Sequence, residues 1–169
     1  PLVYTQPPSK SDRGYKMNKS PVHKFCVENN LSVRTPKNFK KFDEEKKILE
    51  KLEADIAIVV AYGQILPKNI LNVCKKGFIN IHASLLPKLR GAAPIQRSII
   101  NLNTETGISI MQINENLDQG KVCSQYKINI SKNDNAEDLS LRLSNLASEK
   151  IVKDIEEILE NKKRFLEQD

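Results

Sequence analysis

Asn80 and His82 stand two residues apart in the apolar run Phe78-Ile79-Asn80-Ile81-His82. Such a run predicts a strand, whose successive side chains point to opposite faces, so the two polar groups share one face. They lie at the strand's carboxyl end, where open α/β sheets hold their ligands. An amide supplies a fixed hydrogen-bond donor, and an imidazole can move a proton near neutral pH. Together they suit an acyl transfer, in which a tetrahedral oxyanion is held while a proton moves. The stretch continues through Ala83-Ser84-Leu85-Leu86-Pro87-Lys88-Leu89-Arg90-Gly91-Ala92-Ala93-Pro94-Ile95-Gln96. Pro87 and Pro94 are stiff points around a permissive Gly91, and Pro94 suits the first turn of a helix. An Asn-x-His pair alone is more often structural than catalytic. Asp118, in Leu117-Asp118-Gln119-Gly120, reads by residue type as a turn signal.

The elements that must position these groups follow from the pattern on either side. Leu2 to Thr5 is β-branched and aromatic, hence strand. Gln6 to Lys19 has no apolar periodicity and reads as a loop carrying Lys10, Arg13, Lys16 and Lys19. Ser20 before Pro21 predicts a capped helix to about Asn30, with Val22, Phe25 and Cys26 inward. Leu31 to Arg34 is a short strand. Asp43 to Leu52 predicts an amphipathic helix with Phe42, Ile48, Leu49 and Leu52 inward and its Glu and Lys residues solvated. Asp55 to Ala61 is nearly all apolar, as in a parallel strand buried on both faces. Pro67 to Val73 is a short helix, Gly77 to Ile81 the motif strand, and Pro94 to about Leu102 a helix. Thr106 to Ile113 and Val122 to Ile130 alternate as strands around the Asp118 loop. Ala136 to Lys162 predicts a long helix, with Leu139, Leu143, Leu146, Ile151, Ile155 and Ile158 as its stripe. Arg164 to Asp169 reads as the start of a linker. Strands alternating with helices argue for an α/β fold with a parallel-rich sheet.

The chain has 169 residues, enough for one domain with a real core. A net charge of +6 and a pI near 9.2 permit an anionic partner such as RNA. Cys26, Cys74 and Cys123 have no metal or disulfide spacing, which makes a reducing cytosol the expectation. His23 and His82 are the only histidines, so a multi-histidine metal site is excluded. No apolar run reaches membrane-spanning length. G-x-G-x-x-G, P-loop and G-x-S-x-G motifs are absent, which argues against dinucleotide binding, nucleotide hydrolysis and serine hydrolysis. Leu2-Val3-Tyr4-Thr5 reads as a strand in progress, so a piece upstream is expected.

Asn80-Ile81-His82-Ala83-Ser84-Leu85-Leu86-Pro87 resembles the signature of the 10-formyltetrahydrofolate-dependent formyltransferases. Arg90-Gly91-Ala92-Ala93-Pro94-Ile95-Gln96-Arg97 resembles the branch of that family that acts on methionyl-tRNA. The resemblance implies a Rossmann-like formyltransferase fold with a mostly parallel sheet and helices on both faces. Residues 1–169 would form one catalytic domain, with an opening strand and helix upstream and a small β-barrel domain downstream. Asn80, His82 and Asp118 would be catalytic. The formyl donor, 10-formyltetrahydrofolate, would meet Ser84, Leu85, Leu86 and Pro87, with Tyr62 to Pro67 walling its pocket. Initiator methionyl-tRNA would be the acceptor, held by Lys10, Arg13 and Lys16. A cytosolic monomer without metal or membrane contact is expected. Two other readings stay open. One is a formyltransferase acting on glycinamide ribonucleotide or an amino sugar nucleotide. The other is a non-catalytic folate- or RNA-binding module, which need not keep Asn80, His82 and Asp118 together.

Overall fold

The structure, a computed structural model, describes residues 1–11, 16–37 and 43–169. In chain order its strands are β1 (Leu2–Tyr4), β2 (Ser9–Ser11), β3 (Lys16–Asn18), β4 (Ser32–Arg34), β5 (Ala57–Val59), β6 (Phe78–His82), β7 (Glu105–Gln112) and β8 (Val122–Asn129). Its helices are α1 (Pro21–Glu28), α2 (Asp43–Leu52), α3 (Lys68–Leu71), α4 (Pro94–Ile100) and α5 (Ala136–Leu159). Four strands pair in the order β5-β6-β7-β8, and β1 pairs with β4.

The α/β expectation holds, and β1/β4 and β5/β6 are parallel. The second half of the sheet differs, because β6/β7 and β7/β8 are antiparallel. The physical reason lies in the connection and the pattern. The short β7–β8 link suits an antiparallel join, whereas a parallel one needs a long crossover. β8 also alternates in exposure, as a strand with one wet face does.

Helices cover both faces of the sheet, as expected. Phe78, on the same side of β6 as Asn80 and His82, packs with Leu49 of α2 and Ile70 and Leu71 of α3. Ile81 points the other way, into Ile108, Leu139 and Leu143, with Ile95 and Ile99 of α4 beside them. The predicted α5 stripe is inward, with one surprise: Asp154 is buried within it, bonded to Ser124 and Tyr126 and paired with Lys163 at 2.8 Å.

Further expectations are corrected. Gln6 to Lys19 is not loop throughout, since β2 and β3 pair antiparallel in polar sequence that carries no apolar alternation. In α1, Ser20 caps as predicted, yet Val22 and Phe25 are exposed (Phe25 at 58%) and Cys26 alone is buried. Glu45 of α2 is 3% exposed, not solvated. It accepts from Tyr4 Oη at 2.7 Å and from Arg34 Nε and Nη2 at 2.8 and 2.7 Å, which ties α2 to β1 and β4. The strand expected over Asp55 to Ala61 shortens to Ala57–Val59, and Ile58 and Val60 are exposed. Leu52 is exposed as well, and Phe42 lies outside the described residues. Residues 164–169 do not leave the domain, because Leu166 bridges to Val122.

Candidate active site

β6 sets the geometry. Its register places Asn80 against Val59 and Met111, and His82 against Ser109. Both side chains therefore rise on the face opposite α5. His82 is buried, and its ring Nε2 lies 3.0 Å from the Leu89 carbonyl. A carbonyl only accepts, so Nε2 carries the proton and Nδ1 is the atom left to face the site. Nδ1 stands 3.6 Å from Asp118 Oδ2. Among the described residues nothing hydrogen-bonds the half-buried Asn80 amide, which leaves its N–H groups for a ligand.

Asp118 reaches His82 because its loop folds back over the sheet. The residue sits at φ +50°, and Oδ2 accepts from Gly91 N–H at 2.8 Å. Gly120 makes the fold-back possible, since a Cβ there would stand 1.8 Å from the Gln112 carbonyl. The Asp-x-Gly pattern, a turn signal by residue type, is thus a close approach of loop backbone to β7.

The loop after His82 is pinned from below. Ser84 is buried and donates from Oγ to the Lys88 carbonyl at 2.6 Å. Ser109 Oγ donates to the Ser84 carbonyl at 2.7 Å and accepts from Leu86 N–H at 3.0 Å and Gln125 Nε2 at 2.9 Å. Gln125 Nε2 also reaches the Leu86 carbonyl at 2.7 Å. Leu86 is buried, Leu85 half-buried and Pro87 exposed after a cis peptide bond. Leu85 rests on Gly107, where a Cβ would fall 2.6 Å from Leu85 Cδ2. The side chains of Ser84 and Leu86 thus serve the loop itself, as do the Ser84 and Leu86 carbonyls and the Leu86 N–H, and Pro87 is what stands exposed.

Tyr62 to Pro67 lies near β1 and β5. Gln6 Nε2 donates to the Tyr62 carbonyl at 2.6 Å, and Gln64 Nε2 donates to the Pro36 carbonyl at 3.0 Å. Burial, with the Glu45 carboxylate adding to it, pushes the Tyr62 phenol up to about 12. Of the basic loop, Arg13 lies outside the described residues. Lys10 and Lys16 fall on β2 and β3, where Lys10 is in register with Met17 and Lys16 with Ser11.

Ser109, Gln125 and Gln168 were not singled out by sequence. Ser109 did carry a signal: a hydroxyl at the centre of a strand buried on both faces must find partners. A cavity of about 920 Å³ lies at the other end of β6, against Gly77 and Phe78. Lys68, Lys75, Lys121 and Lys163 on its wall are paired with Glu115, Asp55, Glu167 and Asp154, and Lys76 donates to the Asn161 side-chain carbonyl. Among the described residues no cluster of His, Cys, Asp and Glu has the geometry to hold a metal, and no helix is long and apolar enough to cross a membrane.

With this geometry in hand, residues 1–155 match the formyl transferase family. The chain is 60% identical over its whole length to the methionyl-tRNA formyltransferase of Pelagibacter ubique, of which it covers 54%. It spans about half the length of the curated relatives it matches. Glycinamide ribonucleotide transformylase 1 from Symbiobacterium toebii superposes with a TM-score of 0.73 at 17% identity, over 85% of this chain and 74% of that one. The formyltransferase PseJ from Anoxybacillus kamchatkensis, solved with a formamido sugar nucleotide and tetrahydrofolate, gives 0.69 at 23% identity, over 99% and 81%. By its family match over most of its length, the chain belongs to the formyl transferases.

Proposed function

We propose that the protein transfers a formyl group from 10-formyltetrahydrofolate to the amino group of methionyl-tRNA. The observation that carries the reading is the contact of His82 with Asp118 on the β6 face that also carries Asn80. The 60% identity to a relative named for that reaction, over the whole of this chain and 54% of the relative, favours that acceptor.

In this reading the neutral amine attacks the formyl carbon and forms a C–N bond. The carbonyl oxygen becomes an oxyanion, which the Asn80 amide N–H holds. Protonated His82, kept in place by the Leu89 carbonyl and Asp118, adds positive charge beside it. The amine loses a proton to Asp118, directly or through water. The tetrahedral intermediate then collapses, the bond from the formyl carbon to N10 of the donor breaks, and N10 takes up a proton.

The donor lies along the loop of Ser84, Leu85, Leu86 and Pro87, with Tyr62 to Pro67 as the opposite wall. Because Ser84 and Leu86 are buried, exposed Pro87 and half-buried Leu85 make the contact, and the other two hold the loop's shape. Lys10, Arg13 and Lys16 hold the tRNA acceptor arm through its phosphates.

One assay tests the reading. Purified intact protein is given 10-formyltetrahydrofolate with initiator methionyl-tRNA, elongator methionyl-tRNA, glycinamide ribonucleotide or an amino sugar nucleotide. Formylation of initiator methionyl-tRNA is expected. Turnover on either small substrate in its place overturns the acceptor, and no turnover on any of them overturns the enzyme reading.

A further inference from the structure

Gln168 joins the two loops of the site. Its Oε1 accepts from Arg90 Nε at 3.0 Å and from Arg90 Nη2 at 2.7 Å. Its Nε2 donates to the Asp118 carbonyl at 2.9 Å and to the Gly120 carbonyl at 2.7 Å. The amide thereby makes two bonds through its oxygen and two through its nitrogen. Its orientation is forced, because a guanidinium only donates and carbonyls only accept. A flipped amide would set oxygen against two oxygens and N–H against N–H.

These bonds close a ring around Asp118. Gly91 N–H holds the carboxylate, and Arg90, the preceding residue, holds Gln168, which holds the carbonyl of Asp118 itself. Asp118 is gripped at side chain and backbone from the same short piece of loop. Its φ of +50° is uncommon for a residue with a Cβ, so bonds from outside the turn must hold it there.

The place of Gln168 is fixed independently of the site. Leu166 exchanges both backbone hydrogen bonds with Val122, at 2.8 and 2.9 Å. Phe165 packs on the cluster of Ile79, Ile110 and Ile158. Lys163 is anchored on buried Asp154, which holds its ammonium well above the ordinary lysine range.

We infer that Gln168 is a positioning residue that sets the Asp118 carboxylate against His82, acting through Arg90 and the carbonyls of Asp118 and Gly120. Residues 163–168 are then a strap across both loops of the site. The catalytic consequence rests on the proposed function; the positioning does not.

The test separates the two in the intact protein. Gln168→Leu removes all four bonds at similar size, whereas Gln168→Glu keeps an acceptor for Arg90 and turns an oxygen toward two carbonyls. Amide exchange at Gly91 reports the position of the Asp118 carboxylate without any turnover. Both variants are expected to exchange Gly91 roughly tenfold faster, with the Leu166 amide as protected as before. Turnover should fall roughly 10- to 100-fold, with KM for the formyl donor held within about twofold. In an Asp118→Asn background neither variant should lower turnover further. Unchanged Gly91 exchange overturns the inference, as does loss of Leu166 protection together with that of Gly91. A loss that multiplies cleanly with Asp118→Asn overturns it too. A wild-type protein that formylates no amine would sink the proposed function, while Gly91 exchange would still decide the positioning.

Discussion

His82 Nδ1 and Asp118 Oδ2 stand 3.6 Å apart, and the other ring nitrogen of His82 is committed to the Leu89 carbonyl. A neutral imidazole so fixed would turn a lone pair toward the carboxylate. The two groups are expected to act as a unit in the reaction. His82→Ala and Asp118→Asn should each lower turnover roughly 10²- to 10⁴-fold, and the double variant should cost little more. Formylation rates of the two single variants and the double variant decide this, and clean multiplication would separate the pair.

Asn80 should act by its amide N–H. Asn80→Ala and Asn80→Asp are both expected to lower turnover roughly 10²- to 10³-fold while the donor KM changes little. Circular dichroism must show both variants folded. Near-normal turnover in either would remove the amide from the reaction.

Ser109 should matter to the donor loop although it touches no reacting group. Ser109→Ala leaves buried Leu86 N–H without its partner, and Gln125 loses one of two. A cost of about 1–3 kcal/mol in stability is expected. Titration with a stable folate analogue should show weakened binding as the loop loosens. Unchanged affinity would place the donor elsewhere.

Glu45 should dominate the acid sensitivity of the first part of the fold. Burial raises its pKa, but the hydrogen bonds from Arg34 and Tyr4 outweigh burial, and the net shift is downward. A carboxylate lowered by folding stabilises fully above its unfolded value, and that contribution is lost as pH falls through the depressed folded value. Arg34 keeps 33% of its side chain in water, so Glu45→Gln should cost about 2–3 kcal/mol near neutral pH, toward the low end for a broken buried pair. Thermal melts of wild type and variant should converge as the pH falls through the depressed folded value of Glu45. A gap that stays constant with pH would show that the pair does not titrate with folding.

Much of this was legible because strand periodicity is a local property. Asn80 and His82 share a face by counting alone, and the α5 stripe follows from helical spacing. Asp118 was legible through the family pattern, not through geometry. Glu45 was not, because a helix with charges on several sides does not say which one meets a buried arginine. Val22 and Phe25 were misplaced for the converse reason: apolar spacing says that a helix has a face, not that the face is covered. The antiparallel half of the sheet was legible in the alternation of Val122 to Ile130, which holds in β8, but not in that of Thr106 to Ile113, because β7 is buried on both faces. Gln168 could not be found locally, since its three partner residues lie 48 to 78 residues away.

The bridge between Leu166 and Val122 bears also on how copies of the chain meet one another. β8 is the last strand of its sheet, and a bare edge offers unpaired N–H and C=O groups as a template for another molecule's strand. Here Leu166 occupies the edge at Val122, and Arg142 Nη2 covers the Asn129 carbonyl at the opposite end at 2.7 Å. The edge left between them carries Lys127, a charge that disfavours stacking of like strands. A segment that fastens the loops of the site thus also guards the protein against pairing with itself, and changes that free it should show first as aggregation.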